Sequence, residues 1–243
     1  MKRYKFCDLD GTIILSKRHV FMNKVLVELY NNEPLSYMEK EAYETLQNIP
    51  KEEFIPLTSR TKNQFGRIQF FRDNSVPTYA LLDNGGTLLI NGKEDFEWTS
   101  ETKSFLSREL EMFPELIKEL EKMGTVKIQD EMILFLKPYE CTQVPDVVQI
   151  IDNYPEMQIF QHGNKIYVCP QKLSKGKAIE RFKNKFGSLE TIGAGDSIVD
   201  LSMLDYVDTY FCIDDLAEKI TSKYRDKIRF CSKTEMALRV LQY

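Results

Sequence analysis

Short apolar runs alternate with longer stretches whose apolar positions recur at helical spacing along most of the chain. The runs that predict strands are 4–7, 54–57, 78–82, 87–90, 189–192, 209–213 and 228–231. The stretches that predict helices are 13–32, 36–48, 62–72, 175–185, 200–204, 216–224 and 235–241. Strands that alternate with helices predict an α/β fold, with a parallel sheet doubly wound by helices on both faces.

Two of these helices rest on local detail. The apolar positions that suggest an inward helix face in 13–32 are Val20, Phe21, Val25, Leu26 and Tyr30, and Asn31–Asn32 would end it. Ser36 followed three residues later by Glu39 has the form of a capping box, which predicts a helix from there to about Asn48.

The regular alternation of single strands with helices is interrupted between residues 91 and 168. The predicted helices there are 101–112, 114–123 and 144–153, and the predicted hairpins pair 125–129 with 132–136 and 157–160 with 166–169. Pro114 can start a helical piece, and Gly124 is expected to stop it. The repeated order of helix and hairpin predicts a small α+β domain at 91–168, inserted into a core formed by 1–90 and 169–243.

Composition narrows the function classes. The chain has 243 residues, 42% of them hydrophobic, which is enough to bury a sizeable core. Its formal charge of −4 gives no net positive potential that would attract nucleic acid or an anionic membrane. Five widely spaced cysteines without a C-x-x-C pair argue against a disulfide framework or a zinc ribbon. The basic start is not a secretory signal, so we expect a cytoplasmic protein, monomeric or homodimeric, without nucleic-acid or membrane partners.

The strongest chemical signal is Asp8-Leu9-Asp10-Gly11-Thr12, directly after the strand-like run 4–7. Two carboxylates at the end of a strand can point into one cleft, where their repulsion demands a cation. Mg²⁺ prefers such oxygen ligands, and it suits reactions on phosphates. Gly11 would let the chain turn sharply out of the strand.

Three further motifs follow in order at predicted strand ends or helix starts. They are Thr58-Ser59-Arg60, Lys175-Gly176-Lys177-Ala178, and Gly195-Asp196 followed by Asp200. A threonine hydroxyl, a lysine and a pair of carboxylates are the groups that a phosphate and its metal would need beside Asp8. Taken singly, each is more often a helix cap or a solvated helix start.

Together, the four motifs resemble those of the haloacid dehalogenase-like (HAD) phosphohydrolases. The resemblance implies that Asp8 is the nucleophile and Asp10 the general acid and base. It also implies phosphate binding by Thr58, Ser59 and Lys175. The implied Mg²⁺ ligands are Asp8, Asp10, Asp196 and Asp200. Many relatives have Asn where this chain has Val199, so the part of Asp200 is less sharply defined.

The inserted domain resembles, in position and element order, the cap of sucrose-phosphate, trehalose-phosphate and mannosyl-phosphoglycerate phosphatases. The turn Asn84-Gly85-Gly86 is similar to the N-G-A turn of that branch. We expect Arg60, Asn84 and Gln161 to contact the substrate, with Lys127, Gln129 and Gln158 as further candidates on the cap sheet. The role of the stretch between Ser16 and Pro34 stays open.

The resemblance implies a Mg²⁺-dependent phosphatase that acts on a phosphorylated sugar or similar small metabolite. A phosphosugar mutase is the nearest alternative, because the motifs do not separate transfer to water from transfer to a sugar hydroxyl. A regulatory binding protein is the third, although a pure binder has no evident need for Asp10 beside Asp8.

Overall fold

A computed structural model of the chain describes residues 3–19, 22–72, 76–162, 164–187 and 189–243. The chain divides into two compact units. The first contains the residues up to Asp95 together with Lys175–Tyr243, and the second is Phe96–Ser174. The second unit is therefore one continuous insertion in the chain of the first.

The elements follow in chain order. The first unit begins with β1 (Arg3–Cys7), β2 (Leu15–Ser16), β3 (Lys24–Tyr30), β4 (Glu33–Glu39), α1 (Lys40–Asn48), β5 (Phe54–Pro56), α2 (Lys62–Phe65), β6 (Tyr79–Leu82), β7 (Thr87–Ile90) and β8 (Lys93–Glu94). The inserted unit contains α3 (Phe96–Phe105), α4 (Ser107–Leu110), α5 (Phe113–Leu120), β9 (Gly124–Gln129), β10 (Ile133–Pro138), α6 (Val144–Ile151), β11 (Met157–His162) and β12 (Lys165–Pro170). The first unit resumes with α7 (Lys175–Phe186), β13 (Glu190–Gly195), β14 (Thr209–Ile213), β15 (Ile228–Cys231) and α8 (Met236–Gln242). Short 3₁₀ segments lie at Gln69–Phe71, Asp83–Gly85, Ile198–Met203, Asp214–Lys219 and Ser222–Lys227.

The first unit is built on a parallel sheet of five strands in the order β15-β14-β13-β1-β5. Phe6 of β1 packs on Phe182 of α7, with ring centroids 5.4 Å apart. The ammonium of the preceding residue, Lys5, donates to the carbonyl of Leu241 in α8 at 2.6 Å. Successive strand residues point to opposite faces, so helices cover both faces. This confirms the predicted α/β class.

A three-stranded antiparallel sheet, β6-β7-β8, adjoins the end of β5. Leu57 and Leu81 form a parallel bridge, and the N–H of Thr58 donates to the carbonyl of Leu81 at 3.0 Å. The strands predicted at 78–82 and 87–90 are therefore present as β6 and β7, with the predicted turn at Asp83 between them. This turn directly follows β6, which bonds to Thr58.

The helix predicted for 13–32 is wrong. Residues 24–39 form a hairpin of β3 and β4, while Val20 and Phe21 lie outside the described residues. Asn31 and Asn32 both have positive φ, 52° and 62°, as a two-residue hairpin turn requires. The β-branched Val25 and Val27, spaced by two, favour a strand that the helical spacing had obscured.

The capping box at Ser36 is also wrong. Ser36 lies inside β4, and its hydroxyl donates to Glu28 at 2.7 Å. The helix begins later, at Lys40, and the carboxylate of Glu39 accepts the N–H of Ala42 at 2.8 Å. Its end at Asn48 is confirmed.

Several other helices are shorter or tighter than predicted. The stretch 62–72 is the single turn α2 followed by a 3₁₀ segment, with Gly66 after the first turn. The segments predicted at 200–204 and 216–224 are 3₁₀ helices, whose bonds suit short connections. In contrast, α7 begins at Lys175, as predicted.

The inserted unit has the predicted order of helix and hairpin, with one antiparallel sheet, β11-β12-β10-β9. Its first helix starts at Phe96, earlier than predicted, and a second short helix follows. Gly124 begins β9 and does not end a helix. A Cβ at this position would lie 2.3 Å from the carbonyl oxygen of Lys137, so the two strands approach closely there.

The register of this sheet separates the predicted cap residues. Leu134, Val168 and Ile166 belong to the apolar cluster that includes residues of α5 and α6. Gln161 pairs with Ile166 and therefore points to that helix-covered side, where it is exposed. Lys127 pairs with Phe135 and points to the opposite side. Gln129 and Gln158 share that opposite side with Lys127.

Within the described parts of the chain, no helix is both long and apolar enough to cross a membrane. The cysteines are unpaired thiols, as predicted; Cys141 is exposed, and the buried ones are Cys7, Cys169, Cys212 and Cys231.

Candidate active site

Three of the motif residues follow three neighbouring strands. Asp8 comes directly after β1, Asp196 directly after β13, and Thr58 shortly after β5. These strands are adjacent and parallel, in the order β13-β1-β5. The N–H of Asp8 donates to the carbonyl of Ala194 at 2.9 Å, which ties the ends of two of them together. The motifs thus converge at the carboxyl edge of the sheet, where open α/β sheets place their ligand sites.

The centre of this edge is a carboxylate cluster of Asp8, Asp196 and Asp200. One oxygen from each lies within 4.8 Å of the others. Asp8 and Asp200 are 6% and 0% exposed. Burial, together with the neighbouring carboxylates, raises the pKa of Asp8 well above its usual range, and burial and Asp200 raise the pKa of Asp196. Crowded, buried carboxylate oxygens are the donor set that a hard cation such as Mg²⁺ fits.

Lys175 is the cation within this cluster. Its ammonium donates to Asp8 Oδ1 at 2.6 Å and to Asp200 Oδ1 at 2.5 Å, and the residue is 3% exposed. Burial opposes its charge, but Asp200 and Asp8 outweigh that effect and raise the pKa of Lys175 above its usual value. The lysine therefore stays protonated at the first residue of α7, an end of the helix that otherwise disfavours cations.

Close backbone packing explains two of the motif glycines. Gly11 has φ of 89°, and a Cβ there would lie 2.1 Å from Asp196 Oδ2. Gly85 has φ of 94°, and a Cβ there would lie 2.0 Å from that of Ala178 in α7. These glycines let the turn after β1 approach the carboxylate cluster and let α7 approach the turn at Asn84.

Asp10 does not join the cluster. Both of its oxygens accept from Arg60, Nε to Oδ2 at 2.6 Å and Nη2 to Oδ1 at 2.7 Å. The structure therefore places the Asp10 carboxylate in a two-pronged ion pair, outside the set of oxygens that meet at Asp8. A metal-ligand role for Asp10 stays a prediction.

Arg60 is engaged on all sides. Its remaining N–H groups donate to Glu28, at 3.0 and 2.9 Å, and to the carbonyl of Gln64 at 3.2 Å. Charge and hydrogen bonds from Asp10 and Glu28 outweigh its burial and raise the pKa of Arg60 further. The substrate contact predicted for Arg60 would require one of these bonds to break.

The second motif and the N-G-G turn lie side by side. Thr58 is fully buried, and its hydroxyl accepts the N–H of Arg60 at 3.2 Å, with the half-buried Ser59 between them. The N–H of Asn84 donates to the carbonyl of Thr58 at 2.9 Å. The Asn84 side-chain amide is 1% exposed and makes no hydrogen bond within the described parts of the chain. An unsatisfied buried amide is compatible with the ligand contact predicted for it.

Three residues in this region were not predicted from the sequence. Lys233 donates to Asp196 Oδ2 at 2.8 Å, and Glu28 and Arg67 join the group around Arg60. Lys233 closely follows the end of β15. Residues that follow parallel strands lie at the carboxyl edge of the sheet, so its position in the sequence could have indicated it. No such signal marks Glu28, which lay inside the wrongly predicted helix.

No protein family model matches the sequence, and no curated protein sequence matches it. Solved structures do match its fold. The sucrose-phosphatase of Synechocystis sp. PCC6803, solved with sucrose and phosphate, aligns with a TM-score of 0.70 at 14% identity, over 99% of this chain and 97% of that one. A HAD subclass IIB sugar phosphatase aligns with a TM-score of 0.55 at 14% identity, over 99% and 100%.

A haloacid dehalogenase-like hydrolase from B. subtilis aligns with a TM-score of 0.61 at 17% identity, over 100% of this chain and 99% of that one. At such identities the match establishes the fold, and it extends over both units. The chain therefore has, over its full length, the fold of the haloacid dehalogenase-like subclass IIB sugar phosphatases.

Proposed function

We propose that this protein is a Mg²⁺-dependent phosphatase that hydrolyses the phosphate ester of a sugar or a similar small polar metabolite through an aspartyl-phosphate on Asp8. The observation that carries the proposal is the buried Asp8, held by Lys175 beside Asp196 and Asp200. A carboxylate kept in this setting can attack phosphorus, because the lysine reduces its repulsion from phosphate oxygens.

In the first step, the Asp8 carboxylate forms a bond to phosphorus while the bond from phosphorus to the ester oxygen breaks. Asp10 gives a proton to the departing alcohol. In the second step, Asp10 takes a proton from a water that attacks phosphorus, and the bond to Asp8 breaks, which releases phosphate. Thr58, Ser59 and Lys175 hydrogen-bond the phosphoryl oxygens. Asp8, Asp196 and Asp200 would hold Mg²⁺, which would supply positive charge to offset that of the phosphoryl group.

The sugar part of the proposal is supported by the matched solved structures, which include a sucrose-phosphatase and a sugar phosphatase. We also propose that the inserted unit selects the substrate, since the core motifs handle only the phosphoryl group. Lys127 is the leading candidate, because it is exposed on the side of the sheet away from the α5 and α6 cluster. Gln129 lies on the same side but pairs with Ile133, which belongs to a second buried apolar cluster there. Gln158 is less suited, since its amide already donates to the carbonyls of Pro170 and Leu173.

The test is phosphate release from a panel of sugar phosphates in Mg²⁺, compared between the wild type and Asp8→Asn. The variant should lose turnover and keep its circular dichroism, because it removes the nucleophile without changing its shape. Asp215→Asn, at an exposed position of the same unit, serves as the matched control. Phosphate release by a folded Asp8→Asn variant would refute the mechanism.

The same assay with added sugar bisphosphate distinguishes a phosphatase from a mutase. A mutase would interconvert sugar phosphates without releasing phosphate.

A further inference from the structure

The hairpin of β3 and β4 brings a buried carboxylate to the residues of the second motif. Val27 and Glu28 are 1% and 0% exposed, although neighbours along a regular strand point to opposite faces. The pairing with β4 shifts register on both sides of Glu28. Such a bulge redirects a side chain, and bulges are frequent next to active sites. Here the bulge turns Glu28 inward, toward Arg60.

Each oxygen of the Glu28 carboxylate accepts two hydrogen bonds. Oε1 accepts from Arg60 and from Arg67, each at 3.0 Å, and Oε2 accepts from Arg60 at 2.9 Å and from Ser36 at 2.7 Å. The Ser36 donor comes from the second strand of the hairpin, so both strands contribute to the arrangement. The paired donors of Arg60 and the single donors of Arg67 and Ser36 together restrict the position of the carboxylate.

The guanidinium of Arg60 lies between two carboxylates. One edge, through Nε and Nη2, faces Asp10, and the other, through Nη1 and Nη2, faces Glu28. The guanidinium is planar, so fixing its second edge also fixes the plane that it offers to Asp10. The orientation of Asp10 therefore depends on a residue of the hairpin that binds the other edge of the same guanidinium.

We propose that Glu28 is a positioning residue for catalysis, which orients the general acid Asp10 through Arg60. The proposal rests on the proposed phosphatase function. It assigns a role to the hairpin at 24–39, which joins the first and second motifs. Without Glu28, Arg60 loses the partner on one edge, and Asp10 is no longer held at the angle needed to protonate a leaving oxygen.

The test compares two substrates whose leaving groups differ in basicity. Phenyl phosphate and p-nitrophenyl phosphate have a similar shape, but phenolate is the more basic leaving group and depends more on a proton from Asp10. We expect Glu28→Gln to lower kcat/KM for phenyl phosphate by roughly tenfold or more and for p-nitrophenyl phosphate by less than about threefold. A loss of packing or of folded protein alone would lower both equally.

Glu33→Gln is the matched control, because it makes the same change at an exposed position of the same hairpin, and both rates should stay at the wild-type value. If Glu28→Gln does not fold, Arg67→Gln takes its place, since Arg67 bonds to Glu28; the same preference, smaller in size, is expected. Equal losses for the two esters, or no loss, overturn the proposal. A wild-type enzyme that hydrolyses neither these esters nor any sugar phosphate overturns the phosphatase function itself, which is a distinct result.

Discussion

The ammonium of Lys175 lies 2.6 Å from Asp8 Oδ1, and both groups are almost fully buried. The same ammonium bridges to Asp200. A lysine at the start of a helix and a carboxylate at the end of a strand therefore stabilise each other in a place that disfavours either charge alone. The residues that we propose for catalysis are also part of what holds α7 against the sheet.

Lys175→Met should lower the free energy of unfolding by roughly 3–5 kcal/mol, because it leaves two buried carboxylates without their cation. Mg²⁺ should restore part of this loss, since a metal can take over the neutralisation. Lys177→Met, two residues later and on the surface beside Glu180, should change stability by no more than about 0.5 kcal/mol. Urea unfolding with and without Mg²⁺ measures both, and similar effects of the two substitutions would contradict the role of Lys175.

Removal of the metal should abolish phosphatase activity. We expect no turnover in EDTA and full recovery with Mg²⁺, whereas Zn²⁺ should serve poorly because the cluster offers neither histidine nor cysteine. Full activity in the chelator would refute the metal site.

Lys233→Met should lower the Mg²⁺ concentration needed for half-maximal activity. The Lys233 ammonium lies 2.8 Å from Asp196 Oδ2 and competes with the cation for that carboxylate. A partly exposed pair of this kind is worth up to about 1 kcal/mol, which corresponds to a shift of about two- to fivefold. Lys223→Met, at an exposed lysine beside Asp205, is the control. A higher Mg²⁺ requirement would mean that Lys233 helps to orient Asp196.

The contribution of Glu28 to stability should depend on pH. Burial alone would raise its pKa, but Arg60, Ser36 and Arg67 outweigh burial and lower the pKa of Glu28. A lowered pKa in the folded state gives stability that is complete above the unfolded value of about 4.3 and is lost as the pH falls through the folded value.

The difference in unfolding free energy between the wild type and Glu28→Gln should therefore be constant from about pH 7 to 5 and shrink below about pH 4. Urea titrations at each pH measure it, with Glu33→Gln as the exposed reference. A difference that does not change with pH would show that Glu28 acts only through its shape.

Replacement of residues 96–174 by a short linker should separate the handling of phosphate from the choice of substrate. If the inserted unit selects the substrate, sugar phosphates should lose far more kcat/KM than p-nitrophenyl phosphate does. The circular dichroism of the remaining unit shows whether it is folded. Equal losses for both substrates would place the specificity in the core.

The sequence by itself determined the α/β class, the order of helix and hairpin in the insert, and the convergence of Asp8, Thr58 and Asp196. Each of these depends on local pattern: apolar runs define the strands, and a residue that directly follows a parallel strand must lie at the carboxyl edge of the sheet. Lys175 was predicted from the resemblance of Lys175-Gly176-Lys177-Ala178 to a motif of the HAD phosphohydrolases, and it begins the helix that precedes β13.

Only the tertiary structure decided the environment of Asp10. The pair of Arg60 and Glu28 joins residues 32 apart, and that of Lys233 and Asp196 joins residues 37 apart. No local period encodes such distances. The hairpin at 24–39 was mistaken for a helix because a few apolar residues fit both periods, and pairing between strands decided the outcome. A bulge then directed Glu28 inward, against the alternation that its own strand would predict.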